Sequence, residues 1–195
     1  MSTGPDQRRR LRLWWITGWF GPLAVLCILG ATLLRWLPVQ IPVPQLLTPG
    51  EALVPTALLI ATPLGIAIQM TLTEPSPQVW AMATGYRRWL RHLRVLLLSS
   101  GFLLLTAVVA PDHLGPATVI LLSMAGEAIV TGWILGYRLA WILPSVHAAA
   151  AALMGTKMMA LAWWAWPADP NPNSSLMVLA PVILLAGLLI ETRPR

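Results

Sequence analysis

Residues 91–138 read RHLRVLLLSSGFLLLTAVVAPDHLGPATVILLSMAGEAIVTGWILGYR. Two apolar runs, Leu93–Ala110 and Ala117–Tyr137, are separated by the breaker Pro111-Asp112-His113. Arg91 and Arg94 sit before the first run, Arg138 follows the second, and only Asp112 and Glu127 carry acid. Each run is about 20 residues long, the length at which an α-helix crosses a hydrocarbon layer about 30 Å thick. Lipid cannot satisfy backbone N–H and C=O groups, so helix is the economical assignment. The stretch reads as two crossing helices with their arginine-bearing ends on the same side.

Working outward, four more apolar runs stand out: Thr17–Leu37, Ala52–Leu72, Trp141–Trp166 and Ser175–Ile190. The expected fold is therefore all-α, a polytopic membrane protein in which residues 1–195 form one transmembrane domain. It has six transmembrane helices (about 17–37, 52–72, 93–110, 117–137, 141–166 and 175–190) and an N-terminal interfacial amphipathic helix at 7–16. The outer connections Pro38–Glu51 and Pro167–Ser174 are rich in Pro, Asn and Asp and read as short irregular loops. Gly155 and Thr156 interrupt the fifth run, which leaves two forms for it, a straight helix or a re-entrant segment.

Composition supports this class. The 195 residues are 57% hydrophobic and 10% charged, with a mean hydropathy of +0.71. A soluble domain carries about a quarter charged residues, so too few remain here to coat a globule. The net charge of +6 comes from 13 Lys+Arg against 7 Asp+Glu, and Lys157 is the only lysine. The cations flank apolar runs, which suits an anionic leaflet and speaks against nucleic acid. Cys27 is the sole cysteine, so no disulfide framework exists within the chain.

The arginines set the orientation. Arg8, Arg9, Arg10 and Arg12 precede the first run, and Arg87, Arg88, Arg91 and Arg94 lie between the second and third. Arg138 lies between the fourth and fifth, and Arg193 and Arg195 follow the sixth. The opposite connections carry Glu51, Asp112 and Asp169, with Arg35 as the single cation on that side. Every second connection is basic, so both termini are expected in the cytoplasm, in a plasma membrane of prokaryotic type.

Segment Thr73–His92 carries the most functional information. It reads TEPSPQVWAMATGYRRWLRH. Ser76 suits an N-cap, Pro77 a first helical position, and Gly85 a C-terminal stop. The short helix so bounded presents Val79, Trp80 and Met82, much apolar surface for a cytoplasmic connection. Such a surface meets either lipid or a partner protein. At this segment the chain resembles the permease subunits of ABC transporters of the ABC-2 type. Glu74 matches the family's glutamate near the end of span two, Ser76–Thr84 its coupling helix, and Tyr86–Arg94 its basic start of span three. Gln7–Phe20, with four arginines and three tryptophans, fits the family's surface helix. The resemblance implies docking of a cytoplasmic ATP-binding subunit through Glu74, Ser76, Val79, Trp80, Met82, Arg87 and Arg88. It also implies assembly with a second permease copy or a different permease. The chain itself has no G-x-x-x-x-G-K-[S/T] phosphate loop to hold ATP.

Two ionisable groups fall within the apolar runs. Glu127 lies about 11 residues into the fourth, roughly 16 Å deep, where a carboxyl is costly and a functional candidate by default. Ser123, Gly126, Thr131 and Gly132 surround it, small residues that permit close helix packing or a wet crevice. Glu127 reads either as a helix-fixing hydrogen-bonding group or, with Ser123 and Thr131, as part of a pathway. Lys157 belongs to the outer half of the fifth run, where it either snorkels outward or reaches toward Glu127. The histidines His92, His113 and His147 read as scattered over connections and opposite faces. No H-E-x-x-H, Cys/His cluster or G-x-S-x-G occurs, so the expectation is no catalytic site, no metal and no cofactor. Few polar groups in the spans favour a hydrophobic or amphipathic cargo, exported with ATP. The competing expectations are an ion- or proton-coupled carrier or channel using Glu127, and a non-transporting immunity or accessory subunit.

Overall fold

A computed structural model describes residues 20–47, 50–72, 85–157 and 160–192. The chain is mostly helical: α1 (Phe20–Leu34), α2 (Ala57–Gln69), α3 (Gly85–Val109), α4 (Leu114–Leu135), α5 (Ile142–Met154) and α6 (Ser174–Glu191). Among the described residues three stretches are long and apolar enough to cross a membrane: Arg91–Val109, Pro111–Leu135 and Ser174–Glu191. The sequence expectation of six spans is thus met in full length by three. The described part of α1 spans about 22 Å, and α2 with its 3-10 extension to Leu72 about 25 Å, both shorter than a typical hydrocarbon core. The expected interfacial helix at 7–16 lies outside the described residues.

α4 is the axis of the molecule. It packs along α2 on one side and α6 on the other, with α5 also against it, while α1 pairs chiefly with α3. Glycines set the closest approaches. A Cβ on Gly126 would lie 2.7 Å from the Ile183 carbonyl oxygen, and one on Gly187 would lie 2.9 Å from that of Gly126. Backbone meets backbone at this crossing, as small residues allow between helices in lipid. Ile120, Leu121, Met124 and Ile129 of α4 fill the core, with Ile68 of α2 and Phe102 of α3. Outward-facing Val178, Val182, Leu185 and Leu189 leave an apolar face on α6 suited to lipid.

The helices alternate in direction, so the molecule has an arginine end and a hairpin end. At the hairpin end the region expected as an irregular loop, and the start of the expected second span, form an antiparallel pair. β1 (Gln40–Pro44) lies against β2 (Glu51–Pro55), with Ile41 opposite Val54 and Val43 opposite Ala52. The irregular-loop expectation is corrected here, within a chain that stays mostly helical. Pro38, Pro42, Pro44 and Pro55 forbid a helix, and extended backbone tolerates them in a two-stranded ribbon with free edges. Thr56 then donates its backbone N–H to the Val39 carbonyl, and α2 begins.

The expected fifth span, Trp141–Trp166, is not one helix. Gly136, at φ +93°, closes α4 with a conformation glycine alone adopts readily, and a 3-10 turn (Tyr137–Leu139) leads toward α5. α5 is about 20 Å long and stops at Met154. The chain then forms a two-residue-per-strand hairpin, β3 (Thr156–Lys157) with β4 (Ala160–Leu161), and folds back beside α5 to a second turn at Trp166–Ala168. Of the two forms left open by the sequence, the structure takes the broken one. A helix that ends early must satisfy its last carbonyls. Here Ala151 O accepts from Gly155 N, Ala152 O from Gln45 Nε2 at 2.8 Å, and Leu153 O from Leu46 N at 2.9 Å. The tip of the β1–β2 ribbon thus caps α5. Ala165 packs where a Cβ on Gly155 would intrude, only 2.6 Å away. Irregular backbone within a membrane protein survives where protein encloses it, and Gly155, Ala165, Pro167 and Ala168 are all buried.

Candidate functional site

Two polar clusters interrupt the apolar body. The deeper one is built on Glu127. In α4 it stands about 20 Å from the hairpin-side end and about 12 Å from the arginine-side end. Its Oε1 lies 2.7 Å from His147 Nδ1 on α5. The other ring nitrogen, Nε2, lies 2.8 Å from the Trp164 carbonyl oxygen in the folded-back segment. The Trp166 ring meets the imidazole in a T-shaped contact, with centroids 5.0 Å apart and planes at 82°. Glu127 Oε2 is buried and has no hydrogen-bond partner among the described residues.

This arrangement corrects the reading of the histidines as scattered. The turn around Gly136 lays α5 against α4 and brings His147 to the one acidic side chain of the fourth run. Proton counting constrains the pair. A carbonyl oxygen only accepts, so Nε2 carries hydrogen toward Trp164. One further proton must sit between Nδ1 and Oε1, on the ring or on the carboxyl. Either way Glu127 and His147 together are neutral. That offsets a cost of about 3 kcal/mol for a lone charge at the centre of a membrane helix.

Ser123 and Thr131 do not join this cluster. The Ser123 hydroxyl donates to Val119 O and Ile120 O of its own helix, and Thr131 Oγ1 donates to the backbone carbonyl of Glu127 rather than to its carboxylate. Lys157 falls in β3, beyond the end of α5, and its side chain lies outside the described residues. Gly126 serves the α6 crossing, and a Cβ on Gly132 would meet Gln69 and Tyr137 at 3.0 Å. Of the two roles the sequence left to these small residues, the structure shows close packing.

The second cluster closes the arginine end. Glu191, the last residue of α6, is 3% exposed in its side chain, and Arg91 of α3 is 1% exposed. Arg91 Nη1 lies 3.7 Å from Glu191 Oε1 and donates to the Leu72 carbonyl oxygen at 3.1 Å. His92 Nε2 lies 2.9 Å from Glu191 Oε2, and Tyr137 Oη donates to Oε1 at 3.4 Å. The last residues before segment 73–84, the first turns after it, the end of α4 and the end of α6 are therefore tied at one point. Sequence reading missed Glu191 because it sits at the end of an apolar run, where an acid passes for a solvated terminus.

Glu74, Ser76, Val79, Trp80 and Met82 lie outside the described residues. Arg87 and Arg88 lie in the first turn of α3, with side chains outside the description. Among the described residues no three His, Cys, Asp or Glu side chains converge as metal ligands. The chain matches no protein-family model, and neither curated proteins nor solved structures include a significant match to it.

Proposed function

We propose that the chain is the membrane-spanning permease subunit of an ATP-driven transporter of the ABC-2 type. It exports a hydrophobic or amphipathic solute, and a separate cytoplasmic ATP-binding subunit grips it through residues 73–84. In this reading α1, α2 and the broken fifth segment complete the six-pass topology, with both termini cytoplasmic at a prokaryotic plasma membrane. A second permease, identical or different, supplies the other half of the pathway.

One observation carries the reading: Arg91 ties Leu72 to Glu191. Leu72 is the last described residue before segment 73–84, and Arg91 stands in the second turn after it. A force applied to that segment does not dissipate in a loose connection. It passes through the buried guanidinium into α6, and through Tyr137 into the end of α4. The Arg91 fork can hold a carbonyl and a carboxylate at once, which a lysine's point charge does less rigidly. Such a connection suits a motor that acts from outside the membrane. The cation-rich start of α3 and the apolar residues Val79, Trp80 and Met82 supply the gripping surface.

Affinity purification of the tagged chain from its own membranes in mild detergent tests the proposal. A P-loop ATPase is expected in stoichiometric amount. A chain that purifies without one, and that moves solute in liposomes with no nucleotide, would overturn it.

A further inference from the structure

We propose that Glu127 and His147 form an exchangeable proton site, one proton per chain, whose occupancy decides whether the broken fifth segment stays fastened to α5. The proposal is independent of what powers the protein, because it rests on local geometry alone. His147 stands between two acceptors on different elements: Glu127 Oε1 on α4 at 2.7 Å and Trp164 O on the folded-back segment at 2.8 Å. Both contacts are made only while two protons are available to the ring and the carboxyl together. Remove one, and a neutral imidazole has a single N–H for two acceptors. It then serves Glu127 and turns a lone pair toward Trp164 O, or serves Trp164 and turns a lone pair toward a carboxylate. The charged carboxylate takes the single N–H ahead of the neutral carbonyl, because charge-assisted hydrogen bonds are about twice as strong, so the Trp164 fastening fails.

Among the described side chains of the elements packed most closely on α5, none relieves that conflict. Those elements are α2, α4, β1, β3 and the turn at Trp166–Ala168. Of these α2, β1 and the turn contain no ionisable residue, α4 contributes Glu127 alone, and β3 contributes Lys157, whose side chain is undescribed. Asp169 follows the turn, and its Oδ1 accepts from Asn171 N. Glu127 and His147 keep 14% and 18% of their side-chain surface exposed, so neither is sealed inside the protein. The step balances simply. The proton held between Nδ1 and Oε1 passes to water, leaving a carboxylate and a neutral ring, and no covalent bond to carbon changes. What is released is the segment capped by Ala162 N on Gly155 O and by Trp164 O on His147. That segment covers the flank of α5, so proton loss opens the body at the depth of Glu127.

Hydrogen–deuterium exchange of the full chain in lipid nanodiscs, from pH 5 to 9 and corrected for intrinsic exchange, tests this. The readout is the amides of 162–168, with those of α4 around Ala125 as the internal reference. Losing one hydrogen bond to a charged partner should raise exchange of the segment by about tenfold or more as pH rises, with the reference unchanged. Glu127→Gln should abolish the pH dependence and keep the segment protected. Its amide donates to Nδ1 of a neutral ring while Nε2–H stays on Trp164. A flat wild-type series, or the same rise in Glu127→Gln, would overturn the proposal. The wild-type series decides by itself if the variant does not fold.

Discussion

Arg91 and Glu191 meet 3.7 Å apart at the arginine end of the molecule, and almost none of either side chain is exposed. One comes from the start of α3 and the other from the last residue of α6. Their meeting makes the point where segment 73–84 is rooted part of the helix bundle itself.

That pairing is measurable. Arg91→Gln and Glu191→Gln should each lower thermal stability in detergent, because each leaves the other charge buried with less compensation. The double variant should lose less than the sum of the two, with a coupling of about 1–3 kcal/mol in a double-mutant cycle. Strictly additive losses would show that the two side chains do not act on each other.

The α4–α6 crossing depends on the absence of side chains. Gly126→Ala drives a methyl to within 2.7 Å of the Ile183 carbonyl oxygen and should cost about 1–3 kcal/mol, as overpacking does. Gly101→Ala in α3 meets nothing within 4 Å and should leave stability unchanged or slightly raised. Thermal unfolding of the two variants side by side separates them.

Capping of α5 by the β1–β2 ribbon makes a third expectation. Gln45→Ala leaves the Ala152 carbonyl without its side-chain donor, a loss of about 1–3 kcal/mol if the group stays buried. The loss should be local. Exchange should quicken at the end of α5 and in β1–β2 while α3 and α4 keep their protection.

Orientation follows from labelling single cysteines. The native Cys27 is 3% exposed and should not react with a membrane-impermeant maleimide in intact cells. Asp112→Cys, at the hairpin end, should label from outside. Arg138→Cys, at the arginine end, should label only after the membrane is opened. The reverse pattern would invert the topology and remove the cytoplasmic docking surface.

Periodicity and charge made some of this structure legible and left other parts hidden. The hairpin of α3 and α4 could be read from residues 91–138, because Pro111 and two long apolar runs leave little choice. α6 was equally plain, with Asn173 accepting from Leu176 N to start it. The β1–β2 ribbon was hidden because prolines signal only what the backbone cannot do, and its pairing depends on register between two separated segments. The break after Met154 was half visible in Gly155 and Thr156, but its direction depends on the Gln45 and Leu46 caps contributed from far away in sequence. Glu127 was found because a lone acid in an apolar run is conspicuous. His147 was not matched to it, since their contact joins two helices around a glycine turn rather than one helical face. Ser123 and Thr131 were chosen for nearness in sequence, and their hydroxyls bond back to their own helix instead.

The most direct test of the account is a photo-crosslinking amino acid placed at Val79, within segment 73–84, in cells making the full chain. Irradiation is expected to give one protein adduct with a P-loop ATPase, and Trp80→Ala should reduce its yield about tenfold or more if Trp80 is a binding hot spot. A probe at Val79 that reacts with no such protein, and that is instead reached by impermeant reagents from outside the cell, would contradict the account.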